Sequence, residues 1–226
     1  MIKAVVFDLD NTLWDFMKAK RVAVEAAVEA MIDAGLDLPK KEMIERIFNL
    51  YSIEGIEDQQ IFDKVLLKKF GKIDYRILAA GIVGYRRAKD GALTLYPHVM
   101  LTLTTLAKQG VKMAVISDAP RLAVWLRLSS FNLHQLFDEV VTFDDTGERK
   151  PSPKPFRKVL QLLGLKPEEV IMVGDWAERD MVGAKQVGMK TIFARYGNLF
   201  DTKDSGADHE VNDIKEILEV IRKENA

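Results

Sequence analysis

The chain has 226 residues, 48% of them hydrophobic, so it can build a core and disorder is excluded as its main state. That length allows one large domain or two modest ones. With 33 Lys plus Arg against 34 Asp plus Glu, a formal net charge of −1 excludes the basic excess of a nucleic-acid or membrane-surface protein.

No apolar run reaches the ~20 residues that span a bilayer. The opening MIKAVVFDLD lacks the length and cleavage site of a signal peptide. Cysteine is absent, which removes disulfides, thiolate metal sites and thiol nucleophiles together. The expected compartment is the cytoplasm. A charged fraction of 30% and sparse Asn and Gln fit a heat-adapted source.

Residues 2–7, IKAVVF, read as a strand buried on both faces, ending at Asp8. From Met17 to Lys89 the pattern is helical, with apolar positions such as Val22, Ala26, Val28 and Met31 at helical spacing. Gly35, Pro39, Gly55, Gly71 and Gly91 punctuate this stretch. After Pro97 strands and helices alternate. A helix from Val99 to Lys108 precedes the strand VKMAVIS, and another helix follows Pro120. The strand EVVTF ends at an acidic turn, Asp144–Asp145, and a helix runs from Pro153 to Gly164. Then come VIMVG, a helix through Ala184, MKTIFA and a terminal helix over 212–223.

This alternation predicts an α/β fold, a doubly wound parallel sheet with a helical domain inserted after its first strand. The expected division is a core of 1–15 and 93–226 and a cap of 16–92. Ligands in such sheets bind beyond the carboxyl ends of the strands. Those ends carry Asp8-Leu9-Asp10-Asn11-Thr12, Ser117-Asp118, Lys150 and Gly174-Asp175, with Asp180 close behind. Carboxylates gathered at one rim need a neutralising cation. With no Cys and only His98, His134 and His209, none in a paired motif, the ligands are oxygen and suit Mg²⁺.

DLDNT at 8–12, the strand-ending Ser117, Lys150 in KPSP and GDWAERD at 174–180, in that order, resemble the four motifs of the haloacid dehalogenase-like hydrolase superfamily. The resemblance is to the branch whose helical cap lies between the first two motifs. Within it the whole-length pattern is similar to archaeal phosphatases assigned to glyceraldehyde 3-phosphate. The resemblance implies a Rossmann-like core and a hydrolase acting on a small phosphorylated metabolite. It further implies Mg²⁺ held by the Asp8 side chain, the Asp10 carbonyl and Asp175, with Asp180 orienting that shell through a water or Lys150. Ser117 and Lys150 would bind phosphoryl oxygens, helped by backbone N–H groups around Asn11 and Asp118.

The chemistry is also readable from the residues. Asp8, at the sheet's edge, can attack phosphorus and form an aspartyl-phosphate. Asp10 projects to the same face in extended chain and can give a proton to the leaving alkoxide, then take one from water. Trp14 either contacts substrate or braces the hinge. Taken by itself, Asp118 reads as a helix cap ahead of Pro120. Glu178 and Arg179 read as a solvated helix start, and the histidines as surface or packing residues. Residues 16–92 are expected to close as a lid, excluding water.

Three alternatives remain. A phosphomutase of the β-phosphoglucomutase type would carry the same motifs. A 2-haloacid dehalogenase would lack a second carboxylate such as Asp10. A non-enzymatic receiver-like module would be shorter, would lack the insert and would place its phosphoacceptor on an inner strand. The expected partner is a small phosphate ester, with no nucleic acid or membrane, and the chain a monomer or homodimer.

Overall fold

The first strand, β1 (Ala4–Phe7), is buried along its whole length, which accounts for its run of Val and Phe without a polar alternation. The computed structural model describes residues 1–226 and divides into two compact units. One comprises Met1–Asp15 and Leu95–Ala226, the other Phe16–Thr94.

The second unit is four helices. α1 (Phe16–Asp33) buries Ala23, Ala27, Val28 and Met31, spaced three or four apart on one face. α2 (Lys40–Glu54) starts after Pro39 and buries Met43, Ile47, Leu50 and Tyr51. α3 (Ile61–Phe70) is closed by Gly71 at φ 71°, the left-handed conformation that ends many helices. α4 (Tyr75–Gly91) is capped by Asp74, whose side chain accepts from the Arg76 and Ile77 amides. Their apolar faces share one core. Lys20 is the buried cation of this unit, its Nζ 4.2 Å from the Tyr51 ring centre and 5.4 Å from that of Tyr85.

The first unit resumes with α5 (Val99–Lys108), β2 (Lys112–Ile116), α6 (Arg121–Ser130) and β3 (Glu139–Val141). After α7 (Phe143–Thr146) and α8 (Pro153–Leu163) comes β4 (Val170–Gly174). A π-helical turn, Ala177–Met181, leads into α9 (Val182–Gln186), followed by β5 (Lys190–Ala194), β6 (His209–Val211) and α10 (Ile217–Glu224).

The six strands form one parallel sheet in the order β3-β2-β1-β4-β5-β6. The chain winds outward from β1 through β2 to β3, then crosses to the other side of β1 for β4. The switch point, where a crevice opens for ligands, therefore lies between β1 and β4. The segments flanking the helical unit pair with one another: Trp14 bridges Leu95, and the Tyr96 amide donates to the Leu13 carbonyl at 3.1 Å.

Three expectations are corrected. β1 is flanked on both sides, so Asp8 stands on the carboxyl rim of an inner strand and not at a lateral edge. Asp144 and Asp145 form no simple turn but belong to α7. Asp145 accepts from the Thr142 amide at 2.8 Å and Asp144 from the Arg121 amide at 2.7 Å. β6 is a strand the pattern did not reveal, because of its three residues only Val211 is buried. It is anchored next door by Asp208, which accepts from both the amide and the hydroxyl of Thr191.

Candidate active site

β1 and β4 end side by side, and each is followed at once by a carboxylate. The Asp8 amide continues the ladder, donating to the Val173 carbonyl at 2.8 Å. Beyond it the chain must turn sharply: Asn11 takes φ 60°, and the Leu13 amide returns to the Leu9 carbonyl at 3.0 Å. Thr12 Oγ1 donates to Asp175 Oδ1 at 2.9 Å, tying this turn to the end of β4. The Tyr196 hydroxyl donates to the Thr12 carbonyl at 2.9 Å, and Gly197 packs so closely that a Cβ there would lie 1.8 Å from the Asn11 carbonyl oxygen. Gly174 is similarly constrained, since its Cβ would lie 2.4 Å from Asp180 Cγ.

Lys150, brought in by the loop before α8, is buried and pairs with Asp8 and, at 2.7 Å, with Asp180 Oδ1. That second contact is an ion pair without hydrogen-bond alignment, which leaves Asp180 Oδ1 with unused acceptor capacity. Asp180 Oδ2 accepts from the Trp176 amide at 3.1 Å. Carboxylate oxygens of Asp8, Asp175 and Asp180 all lie within 4.8 Å of one another. Burial pushes the Asp8 carboxyl up to about 8; Lys150 opposes the shift, while Asp180 and Asp10 add to it. Burial likewise raises Asp175, with Asp8 and Asp180 reinforcing it, and raises Asp180 against the pull of Lys150. For Lys150 burial alone would lower the ammonium, but Asp180, Asp8 and Asp118 outweigh it and raise it.

Three buried carboxylates with one ammonium among them are under-compensated. A buried all-oxygen donor set of this kind fits a hard divalent cation, which would restore the anionic forms. The acidic triad can hold a metal.

Asp10 faces different partners. Its Oδ1 accepts from Trp14 Nε1 at 2.8 Å and its Oδ2 from Arg127 at 2.8 Å. Trp14 is 1% exposed and stacks on Phe131 with ring centres 5.5 Å apart, so it braces the turn and offers no face to solvent. Ser117, buried at the end of β2, accepts from the Ala119 amide at 3.2 Å. Asp118 does not cap α6. Its Oδ1 accepts from the Lys150 amide at 2.9 Å and its Oδ2 from Arg179 at 3.1 Å, which fixes the Lys150 loop. Arg179, partly exposed at the start of the π-helical turn, also lies 3.7 Å from the Trp176 ring centre. The Asn11 amide, expected to face phosphate, donates to the Trp14 carbonyl at 2.8 Å.

The structure thus gathers Asp8, Lys150, Asp175 and Asp180 into one cluster, with Asp10 beside it and Ser117 and Asp118 on the neighbouring strand end. His98 and His209 contact the carboxylates of Asp213 and Glu224, each at 2.7 Å. Three participants escaped the sequence reading, Arg127, Tyr196 and Gly197, while Arg179 was read without its contacts to Asp118 and Trp176. Thr12 lay inside a recognised motif, but Arg127 and Tyr196 lie in no motif and only the folded chain brings them to the rim.

The profile of haloacid dehalogenase-like hydrolases matches residues 5–194. The chain is 33% identical over 223 residues to a glyceraldehyde 3-phosphate phosphatase of Methanocaldococcus jannaschii, covering 98% of each. It is 34% identical over 229 residues to the enzyme of the same name from Methanopyrus kandleri, covering 99% of this chain and 98% of the other. Among solved structures, a haloacid dehalogenase-like phosphatase from Thermococcus onnurineus superposes with a TM-score of 0.72 at 28% identity, over 97% of this chain and 98% of that one. The chain belongs to the haloacid dehalogenase-like hydrolase family, and within it is a phosphatase.

Proposed function

We propose that this phosphatase hydrolyses a small phosphate monoester through an aspartyl-phosphate on Asp8, with Mg²⁺ as its cofactor. The observation that carries the reading is the buried cluster of Asp8, Asp175, Asp180 and Lys150 at the switch point of the sheet. An Asp8 oxygen attacks phosphorus, the bond to the ester oxygen breaks, and Asp10 protonates the departing alkoxide. Asp10 then takes a proton from the water that attacks the phospho-enzyme, releasing inorganic phosphate and regenerating Asp8. Asp8, the Asp10 carbonyl and Asp175 would hold the cation, with Asp180 orienting them. When bound it lowers the repulsion between an anionic nucleophile and a phosphate dianion. Lys150 and Ser117 bind the phosphoryl oxygens, and Asp118 supports this by fixing the Lys150 backbone.

The substrate favoured is glyceraldehyde 3-phosphate, on the strength of relatives of that name matched over nearly the full length. Residues 16–92 act as the lid that selects it and excludes water. The working compartment is the cytoplasm: cysteine is absent and no helix is long and apolar enough to cross a membrane.

The test is phosphate release from p-nitrophenyl phosphate and glyceraldehyde 3-phosphate, with Mg²⁺, after chelation and on Mg²⁺ return. Rapid quenching with labelled substrate should trap a hydroxylamine-sensitive phospho-enzyme absent from Asp8→Asn. Full activity after exhaustive chelation overturns the cofactor, and turnover by Asp8→Asn overturns the nucleophile. Transfer of phosphate between positions of a sugar, stimulated by a bisphosphate, would make it a mutase instead.

A further inference from the structure

We propose that Arg127 is a positioning residue for the acid–base step: together with Trp14 it clamps both oxygens of Asp10 and aims that carboxyl at the leaving group. The inference rests on the reading of Asp10 as the acid–base group and adds to it a residue that belongs to none of the four motifs.

The cost of the arrangement points to its purpose. The Arg127 side chain is 6% exposed, and a guanidinium stripped of water is retained only where a partner compensates it. Asp10 Oδ2 is such a partner, at 2.8 Å, while Trp14 Nε1 takes Oδ1 at the same distance. Two donors from separate elements fix the plane of the carboxylate, which a single contact would leave free to rotate. Each donor is itself held. The Arg127 guanidinium lies 5.7 Å from the Trp14 ring centre, and Phe131 packs on the other partner of the pair, the Trp14 ring, at 5.5 Å. Arg127 and Phe131 are four residues apart at the end of α6, so one helix face supports the whole clamp.

Arg127 cannot take the proton-transfer role for itself, since a guanidinium is donor-only and stays charged. Asp8, Asp175 and Asp180 pair instead with Lys150 and Thr12. Its effect should therefore fall on the step in which Asp10 moves a proton and spare attack on phosphorus. Proton transfer tolerates little misplacement of the carboxyl.

The experiment compares Arg127→Met and Arg127→Lys with the parent on two substrates in Mg²⁺. p-Nitrophenyl phosphate releases an anion that needs no proton; glycerol 3-phosphate releases an alkoxide that does. Arg127→Met should lower kcat for the alkyl ester by roughly 10–100-fold, within the range of general-acid effects, and for the aryl ester by less than about 3-fold. Arg127→Lys, which keeps a cation, should recover part of the loss. In an Asp10→Asn background Arg127→Met should add nothing, because the group it aims is gone. If Arg127→Met proves unfolded by thermal melting, Trp14→Phe, which removes the other donor, carries the same comparison. Equal losses on both esters, or a further loss on top of Asp10→Asn, overturn the clamp. Asp10→Asn alone separates the two readings: if it slows both esters equally the acid–base role fails, whereas a selective Asp10→Asn with an unselective Arg127→Met removes only the role of Arg127.

Discussion

The carboxyl rim of the sheet and the interior of the helical unit are both buried, and they are built from opposite materials. At the rim Asp8, Lys150, Asp175 and Asp180 are each less than 9% exposed, and burial disfavours the charge on the three carboxyls. In the helical unit Val24, Ala27, Met43 and Ile47 are wholly buried, and the cluster around them is apolar. Burying apolar surface stabilises a fold, at about 25 cal/mol per Å², whereas gathering unneutralised carboxylates opposes it. The contrast teaches where stability and chemistry reside. The apolar interior stabilises its own unit, and the charged rim spends stability on chemistry.

Substitutions can break that contrast. The largest effect is expected from Asp8→Asn, which should lower kcat roughly 10⁴-fold or more, as removal of other nucleophiles does. Its melting temperature in the absence of metal should be no lower than the parent's, because a buried carboxyl whose charge is disfavoured is replaced by a neutral amide of the same shape. A clear drop in Tm would mean that the rim charges stabilise the fold. Next, replacing residues 16–92 by a short linker, in a protein shown by circular dichroism to be folded, should reduce kcat/KM more for glyceraldehyde 3-phosphate than for p-nitrophenyl phosphate. An unchanged ratio would confine selectivity to the core loops.

Ile47→Ala makes the opposite test inside the helical unit. Denaturant unfolding should show a loss of roughly 2–5 kcal/mol, while kcat for the aryl ester stays close to the parent's. The smallest effect concerns a carboxylate outside the rim. At Asp208 burial acts upward, but the Thr191 hydroxyl, Lys185 and the Thr191 amide outweigh it and hold the carboxyl below its ordinary 3.8. A depressed value means stability present above the ordinary range and lost as pH falls through the folded value. The Tm advantage of the parent over Asp208→Asn should therefore be full at pH 7 and shrink below pH 3.8. A constant difference across that range would deny Asp208 its charge-dependent contribution.

The sheet was legible because β1 and β4 are continuous apolar runs, and their following carboxylates announce the rim. Asp8 and Asp175 could be picked out for the same reason, since charges placed directly after buried strands have few structural uses; Lys150 and Asp180 were legible through the motifs KPSP and GDWAERD. β6 was not legible, being three residues with one inward side chain. Arg127 was hidden differently. In sequence it is one cation of an ordinary helix, and its burial against Asp10 depends on how α6 folds back along the rim. Asp118 misled in the reverse sense. Its position before Pro120 has the pattern of a cap, yet the Lys150 amide and Arg179 claim its oxygens first.

The inner position of β1 also bears on how the chain is made. Its neighbours are β2, where Ala4 pairs with Lys112, and β4, where Ala4 pairs with Val170. β1 thus has no ladder to join until the more than 100 residues up to β2 have followed it. The helices of Phe16–Thr94, which share a core of their own, can form in that interval. During synthesis the apolar tetrapeptide AVVF is then an exposed segment while the helical unit closes its own core. Pulse-labelling hydrogen exchange during refolding should find amides of α1 and α4 protected before those of β1.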